Sequence, residues 1–157
     1  MPDGTPKPTM PPVAWVALFA LGMILTARLF PETRLDFPGR SLAAYALVLA
    51  GLSIAALGVL AFRRHRTTVD PTRPDEASAL VTSGIYGVTR NPMYLGMALA
   101  VTGIGLRTGS LIALSLAPVF VVALTKFQIR PEEAAMRKLF GEAYEAYAAR
   151  VPRWLIV

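Results

Sequence analysis

Two polar stretches carry the side chains that could do chemistry. RPEEAAMRKLFGEAYEAYAARVPRW holds the adjacent carboxylates Glu132 and Glu133 and, further on, Tyr144 and Tyr147. RRHRTTVDPTRPDEASALVTSGIYGVTRNP holds Tyr86, Arg90 and Asn91. The chain has no Cys, which removes thiol nucleophiles and thiolate metal sites, and its single His makes a conventional zinc site a poor expectation. Simpler readings exist for each feature. Glu132 and Glu133 could complement a helix N-terminus, Tyr144 and Tyr147 could be interfacial aromatics, and Arg63-Arg64-His65-Arg66 reads as a basic topology determinant with no catalytic role for His65. Gly141 is harder to dismiss, because Gly inside a helix costs about 1 kcal/mol relative to Ala and signals close approach of something.

The elements that position these groups are apolar. Of 157 residues 54% are hydrophobic and 17% charged, below the roughly 25% of soluble domains, which argues against a water-soluble globule and for a small multi-pass membrane protein. Charge-free runs set the expected spans at about 13-30, 42-62, 91-106 and 108-125, the last two forming a tight hairpin around Thr108-Gly109-Ser110. Arg28 is expected to snorkel, and Pro118 to kink the fourth span. Residues 1-12 are expected to be a disordered tail. With few basic residues and a long apolar run, the N-terminal segment makes a poor signal peptide. Residues 13-157 form one domain, with a loop at 63-90 and a tail at 126-157.

Basic residues are unevenly shared among the connecting segments. The N-terminus, the Arg63 to Arg90 segment and the tail from Lys126 hold twelve Lys and Arg; the segment from Arg28 to Arg40 and Arg107 hold four. The positive-inside rule therefore places both termini and the long loop in the cytoplasm. The net charge of +6 is explained by anionic lipid rather than nucleic acid. In the tail, Met136, Phe140 and Tyr144, with Leu139, Ala143 and Tyr147 alongside, predict one amphipathic helix starting near Pro131 and ending before Pro152. The expected fold is thus all-α: four transmembrane helices and a C-terminal amphipathic cytoplasmic helix.

The order Thr82-Ser83-Gly84-Ile85-Tyr86, Asn91-Pro92-Met93-Tyr94-Leu95-Gly96, a hydrophobic hairpin, Glu132-Glu133 and Phe140-Gly141-Glu142-Ala143-Tyr144-Glu145-Ala146-Tyr147 resembles the isoprenylcysteine carboxyl methyltransferase and phospholipid methyltransferase group of membrane enzymes. The similarity runs from about Thr67 to Trp154. It implies an S-adenosylmethionine site built from both polar segments at the membrane face. By that resemblance the cofactor residues are Ser78, Ala79, Leu80, Val81, Tyr86, Asn91, Pro92, Met93, Tyr94 and Glu132. Arg90 is suited to the cofactor carboxylate, and Glu133 is taken with its neighbour. Gln128, Arg130, Tyr144 and Tyr147 are the expected substrate contacts, and no catalytic base is named.

Asn91 stands where the isoprenylcysteine branch has His, and Gln128 falls near that branch's substrate-binding Arg. An amine lipid is therefore favoured over a prenylcysteine carboxylate as methyl acceptor. The expected partners are a lipid-like substrate and the membrane, with no metal and no nucleic acid. The alternatives are an NADPH-dependent membrane reductase related to sterol reductases, although no Gly-rich dinucleotide fingerprint is present, and a non-enzymatic membrane scaffold.

Overall fold

The computed structural model describes residues 10–64 and 79–155, so Ser78 and His65 lie outside the described residues. Helices α1 (Pro12–Leu29), α2 (Arg40–Arg64) and α3 (Pro92–Thr108) follow the first three apolar runs. The fourth run begins after a left-handed Gly109, where the Ser110 side chain caps α4 (Leu111–Leu114). It continues through α5 (Leu116–Leu124), a π-helical turn (Thr125–Ile129) and α6 (Arg130–Phe140). Then α7 (Glu142–Arg150) closes the described helices. Among the described residues there is no β-strand, and the chain is an all-α membrane protein.

Among the described residues three helices are long and apolar enough to cross a bilayer: Pro12–Leu29, Arg40–Arg64 and the 30-residue run Leu111–Phe140, whose apolar part ends at Thr125. Most leucines of α1 and α2 face outward, among them Leu18, Leu42, Leu49, Leu52 and Leu60. That is the pattern of lipid-facing helices. At 17 residues α3 is shorter, yet it reaches from the same end of the bundle to the other. It sits between α2 on one side and α1 and α5 on the other, so protein rather than lipid surrounds it.

Small residues let α3 lie so close to α2. Ala44, Gly51 and Gly58 are the buried positions of α2, seven residues apart, and Gly96 and Gly103 repeat that spacing on α3. A Cβ on Gly103 would lie 2.7 Å from the Ala44 carbonyl oxygen, and one on Gly51 would overlap the Gly96 carbonyl. Backbone contact of this kind is the usual way apolar helices associate when lipid offers no hydrophobic drive.

Three expectations about the C-terminal half need correction. The fourth helix does not stop near Lys126. Pro131 cannot donate to the carbonyl four residues back, and the widened π-turn before it, closed by Arg130 N–H to Thr125 O, lets the helix pass through instead of ending. Glu132 and Glu133 therefore do not face a free helix N-terminus. The amphipathic helix is not continuous either: Gly141, at φ 51°, divides it into α6 and α7. The bend turns Tyr144, Tyr147 and Val151 back onto Leu80, Met136 and Phe140, while Leu139 of the expected stripe stays exposed.

Candidate functional site

The cavity lies where the described ends of the chain gather, at the α2 C-terminus and the α3 N-terminus. Residues 79–91 form a strap across this end, with Gly84 at φ 62° opening a 3-10 turn over Gly84–Gly87. The turn buries Tyr86, whose ring meets Phe62 of α2 edge-on at 5.2 Å and whose carbonyl accepts a 2.7 Å hydrogen bond from the Tyr147 hydroxyl. The end of the strap is tied to the C-terminal segment. Arg90 N–H donates to Pro152 O at 2.9 Å, Thr89 Oγ1 to Arg153 O at 3.0 Å and Asn91 Nδ2 to the same oxygen at 3.0 Å.

Adjacent glutamates on α6 point about 100° apart, and the fold gives them different environments. Glu133 is buried among three arginines. Arg153 binds it through Nε at 3.0 Å and Nη2 at 2.6 Å, Arg90 Nη2 approaches to 3.1 Å and Arg137 to 3.9 Å. Such fork-shaped pairing fixes geometry as well as charge, and it raises the Arg153 pKa further. Glu132 has no arginine partner among the described residues. It accepts a hydrogen bond from the buried Tyr94 hydroxyl, and its pKa is pushed up to about 8, first by burial and then by the neighbouring Glu133 charge, against the lowering effect of the Tyr94 bond. Burial also raises Tyr86 and Tyr147 above the usual phenol range and takes Tyr144 up to about 12, so all three are neutral donors.

Between these groups lies about 650 Å³ of empty space, part of it open to the outside. Of the expected cofactor residues, Ala79, Leu80, Val81, Tyr86, Arg90, Asn91, Met93, Tyr94, Glu132 and Glu133 line it. Pro92 is buried just behind as the first residue of α3. Tyr144 and Tyr147, expected as substrate contacts, line the same space. Gln128 and Arg130 do not. Gln128 is buried and donates to the Met10 carbonyl, and Arg130 lies in a separate shallow groove with Lys126 and Val122. Sequence reasoning missed Phe62 and Met136, which also line the cavity, and Thr89 and Arg153, which hold its walls. Met136 belongs to the apolar stripe and Phe62 ends an apolar run, so both carried a signal of burial but none of function.

The sequence profile described as phospholipid methyltransferase matches residues 40–143, more than half of the chain. The chain belongs to the phospholipid methyltransferase family. The family match starts with α2 and takes in Phe62, the strap, Tyr94 and both glutamates, stopping just short of Tyr144 and Tyr147. Curated relatives add a second name. The Protein-S-isoprenylcysteine O-methyltransferase of Schizosaccharomyces pombe is 32% identical over 117 residues, 73% of this chain and 43% of that protein. Protein-S-isoprenylcysteine O-methyltransferase B of Arabidopsis thaliana is 26% identical over 158 residues, 95% of this chain and 79% of that one. A probable protein-S-isoprenylcysteine O-methyltransferase of Oryza sativa subsp. indica is 31% identical over 129 residues, covering 80% and 65%. This family member thus spans less than half the length of the fission-yeast relative. No solved structure gives a significant match.

Proposed function

We propose that the chain transfers a methyl group from S-adenosylmethionine to the polar head of a lipid-like amphiphile at the cytoplasmic membrane face, taking an amine head ahead of a prenylcysteine carboxylate. The observation that carries this reading is the charge balance of the cavity wall. Among the described residues it holds two glutamates and one arginine, and that arginine is already paired with Glu133. Glu132 is left to meet a cation, beside the rings of Phe62, Tyr86 and Tyr144. S-adenosylmethionine carries both a sulfonium and an ammonium, the kind of charge that a carboxylate and aromatic faces attract. Arg90 uses Nη1 on the Ala148 carbonyl and Nη2 on Glu133, but its buried Nε has no partner, so one donor remains for the cofactor carboxylate.

When bound, the cofactor supplies a methyl group that is already activated. The protein's task is alignment, which can lower a barrier by roughly 7 to 11 kcal/mol. Tyr94 and Glu132 orient one wall, the strap and α7 the other, and Tyr86 and Tyr147 lock the two together. The walls include Phe62 and Met93, on the ends of two membrane helices, so the head of a bilayer amphiphile reaches the cavity from the side. A carboxylate head is disfavoured because Arg90, the one arginine among the described lining residues, is already held by Glu133. The names of the relatives favour a prenylcysteine; the cavity charge and Asn91 favour the amine. The basic-residue asymmetry supports four crossings with both termini cytoplasmic.

Calorimetry of the intact protein with S-adenosylmethionine and, separately, NADPH is the first test, with binding of the former alone expected. Radiolabelled methyl transfer to phosphatidylethanolamine, its monomethyl form, a prenylcysteine analogue and a water-soluble amine is the second. Binding of NADPH alone would overturn the activity. Turnover of water-soluble acceptors alone would overturn lateral entry, and faster turnover of the prenylcysteine would reverse the order of heads.

A further inference from the structure

The bundle end opposite the cavity holds a second polar feature. Arg28 ends α1, Arg34 lies in the following loop, Arg40 starts α2 and Arg107 ends α3; these are all four of the basic residues that the charge asymmetry assigns to this side. Basic residues on the translocated side run against the usual distribution, and a scattered set would need no explanation. Here all four converge on one cleft, open to the outside, whose described lining contains a single acidic side chain, Asp36.

Two of the four have structural work. Arg40 Nη1 donates to the carbonyls of Leu106 and Arg107, at 3.2 and 2.5 Å, capping α3, and its Nε binds Asp36 at 3.2 Å. Arg107 Nε donates to the Tyr45 hydroxyl at 3.3 Å. The side chains of Arg28 and Arg34 have neither a hydrogen bond nor an ion pair among the described residues. The cleft is held open by its own loops, since Leu35 N–H donates to Gly109 O at 2.8 Å and the Thr33 and Ser110 hydroxyls share a 2.8 Å hydrogen bond. Beside it runs a narrow apolar slot between Phe37, Leu106, Leu111 and Leu114, which shares Leu35, Arg40 and Gly109 with the cleft.

We propose that this cleft binds the phosphate of an anionic lipid headgroup in the leaflet opposite the methylation cavity, with an acyl chain in the slot. Guanidinium groups are matched to phosphate oxygens, and Arg28 and Arg34 supply the unpaired ones. An apolar slot continuous with a cationic cleft is the shape of an amphiphile rather than of a free ion. The site is independent of which molecule is methylated.

Native mass spectrometry of the full chain released from detergent tests it, with phosphatidylglycerol, phosphatidylcholine and inorganic phosphate as probes. Phosphatidylglycerol should bind more tightly than phosphatidylcholine, and Arg28→Gln and Arg34→Gln should each weaken it by about fivefold. Leu111→Trp, which fills the slot without altering charge, should weaken it too, while Arg64→Gln at the other end should not. Both arginines are exposed, so an unchanged melting temperature separates lost binding from lost fold. Equal retention of the two lipids, or phosphatidylglycerol binding indifferent to Arg28 and Arg34, would overturn the site. Inorganic phosphate binding as tightly as phosphatidylglycerol would overturn its assignment to a lipid.

Discussion

Cofactor affinity should depend on pH through Glu132. In the free protein this carboxyl is held up to about 8 by burial and the Glu133 charge, so at pH 6 it is almost wholly protonated. A sulfonium or ammonium beside it favours the ionised form, and binding must then release a proton. If the bound form is fully ionised, the apparent association constant scales with the ionised fraction of the free protein. That fraction rises from about 1% at pH 6 to about 9% at pH 7 and about 90% at pH 9, a gain of about 90-fold or 2.7 kcal/mol. Calorimetry between pH 6 and 9 in buffers of different ionisation enthalpy measures both the affinity and the proton release, expected near 0.9 proton at pH 7 on the same arithmetic. The cofactor's own α-amino group titrates at about 8 in this range, so Glu132→Gln is the necessary control. That variant retains the ligand's titration and loses the protein's, and the ratio of the two curves isolates the carboxyl. At pH 9 the variant should bind more weakly by about 1.5 to 3 kcal/mol. A ratio that stays flat across the range would refute the reasoning, because Glu132 would then have the same charge in the free and bound states.

Stability should follow the opposite course. A carboxyl whose folded pKa is raised binds its proton more tightly in the native state, so its contribution is full below about 4.5 and is lost as pH rises through about 8; the cofactor-free melting temperature should fall across that window in the parent and less in Glu132→Gln. Glu133→Ala leaves Arg90 and Arg153 facing each other without their shared carboxylate and should cost about 3 kcal/mol or more, read as a drop in unfolding midpoint, whereas Glu142→Ala, on the exposed face of α7, should cost almost nothing. Gly51→Val should prevent the α2–α3 contact, seen as aggregation or loss of a monodisperse peak on size exclusion; normal behaviour would show that the helices can part without harm. Cysteines placed at Glu32 and at Glu142, both exposed and at opposite ends of the bundle, should react with membrane-impermeant reagents from opposite sides, in a background that has no other thiol. Labelling of both from one side would refute the four-crossing topology.

The class of fold and most of the cavity lining follow from the order of residues along the chain. Bilayer thickness imposes long charge-free runs, and such runs are legible without knowing how they pack; α1 and α2 begin and end within two residues of the apolar boundaries. The motif residues from Tyr86 to Tyr94 and Glu132 to Tyr147 were likewise readable, because their order and spacing survive in one dimension. Relations between segments came only with the packed chain. The recurrence of Gly51, Gly58, Gly96 and Gly103 at sevenfold spacing was present in the sequence, but its meaning required two helices in contact. Pro131 and Gly141 have local preferences that the surrounding packing redirected, one absorbed by a π-turn and the other used as a sharp bend. Glu132 and Glu133 are neighbours in the chain and equal in chemistry. They part because successive side chains on a helix diverge by about 100°, so that one meets Tyr94 and the cavity while the other meets three arginines drawn from three different segments.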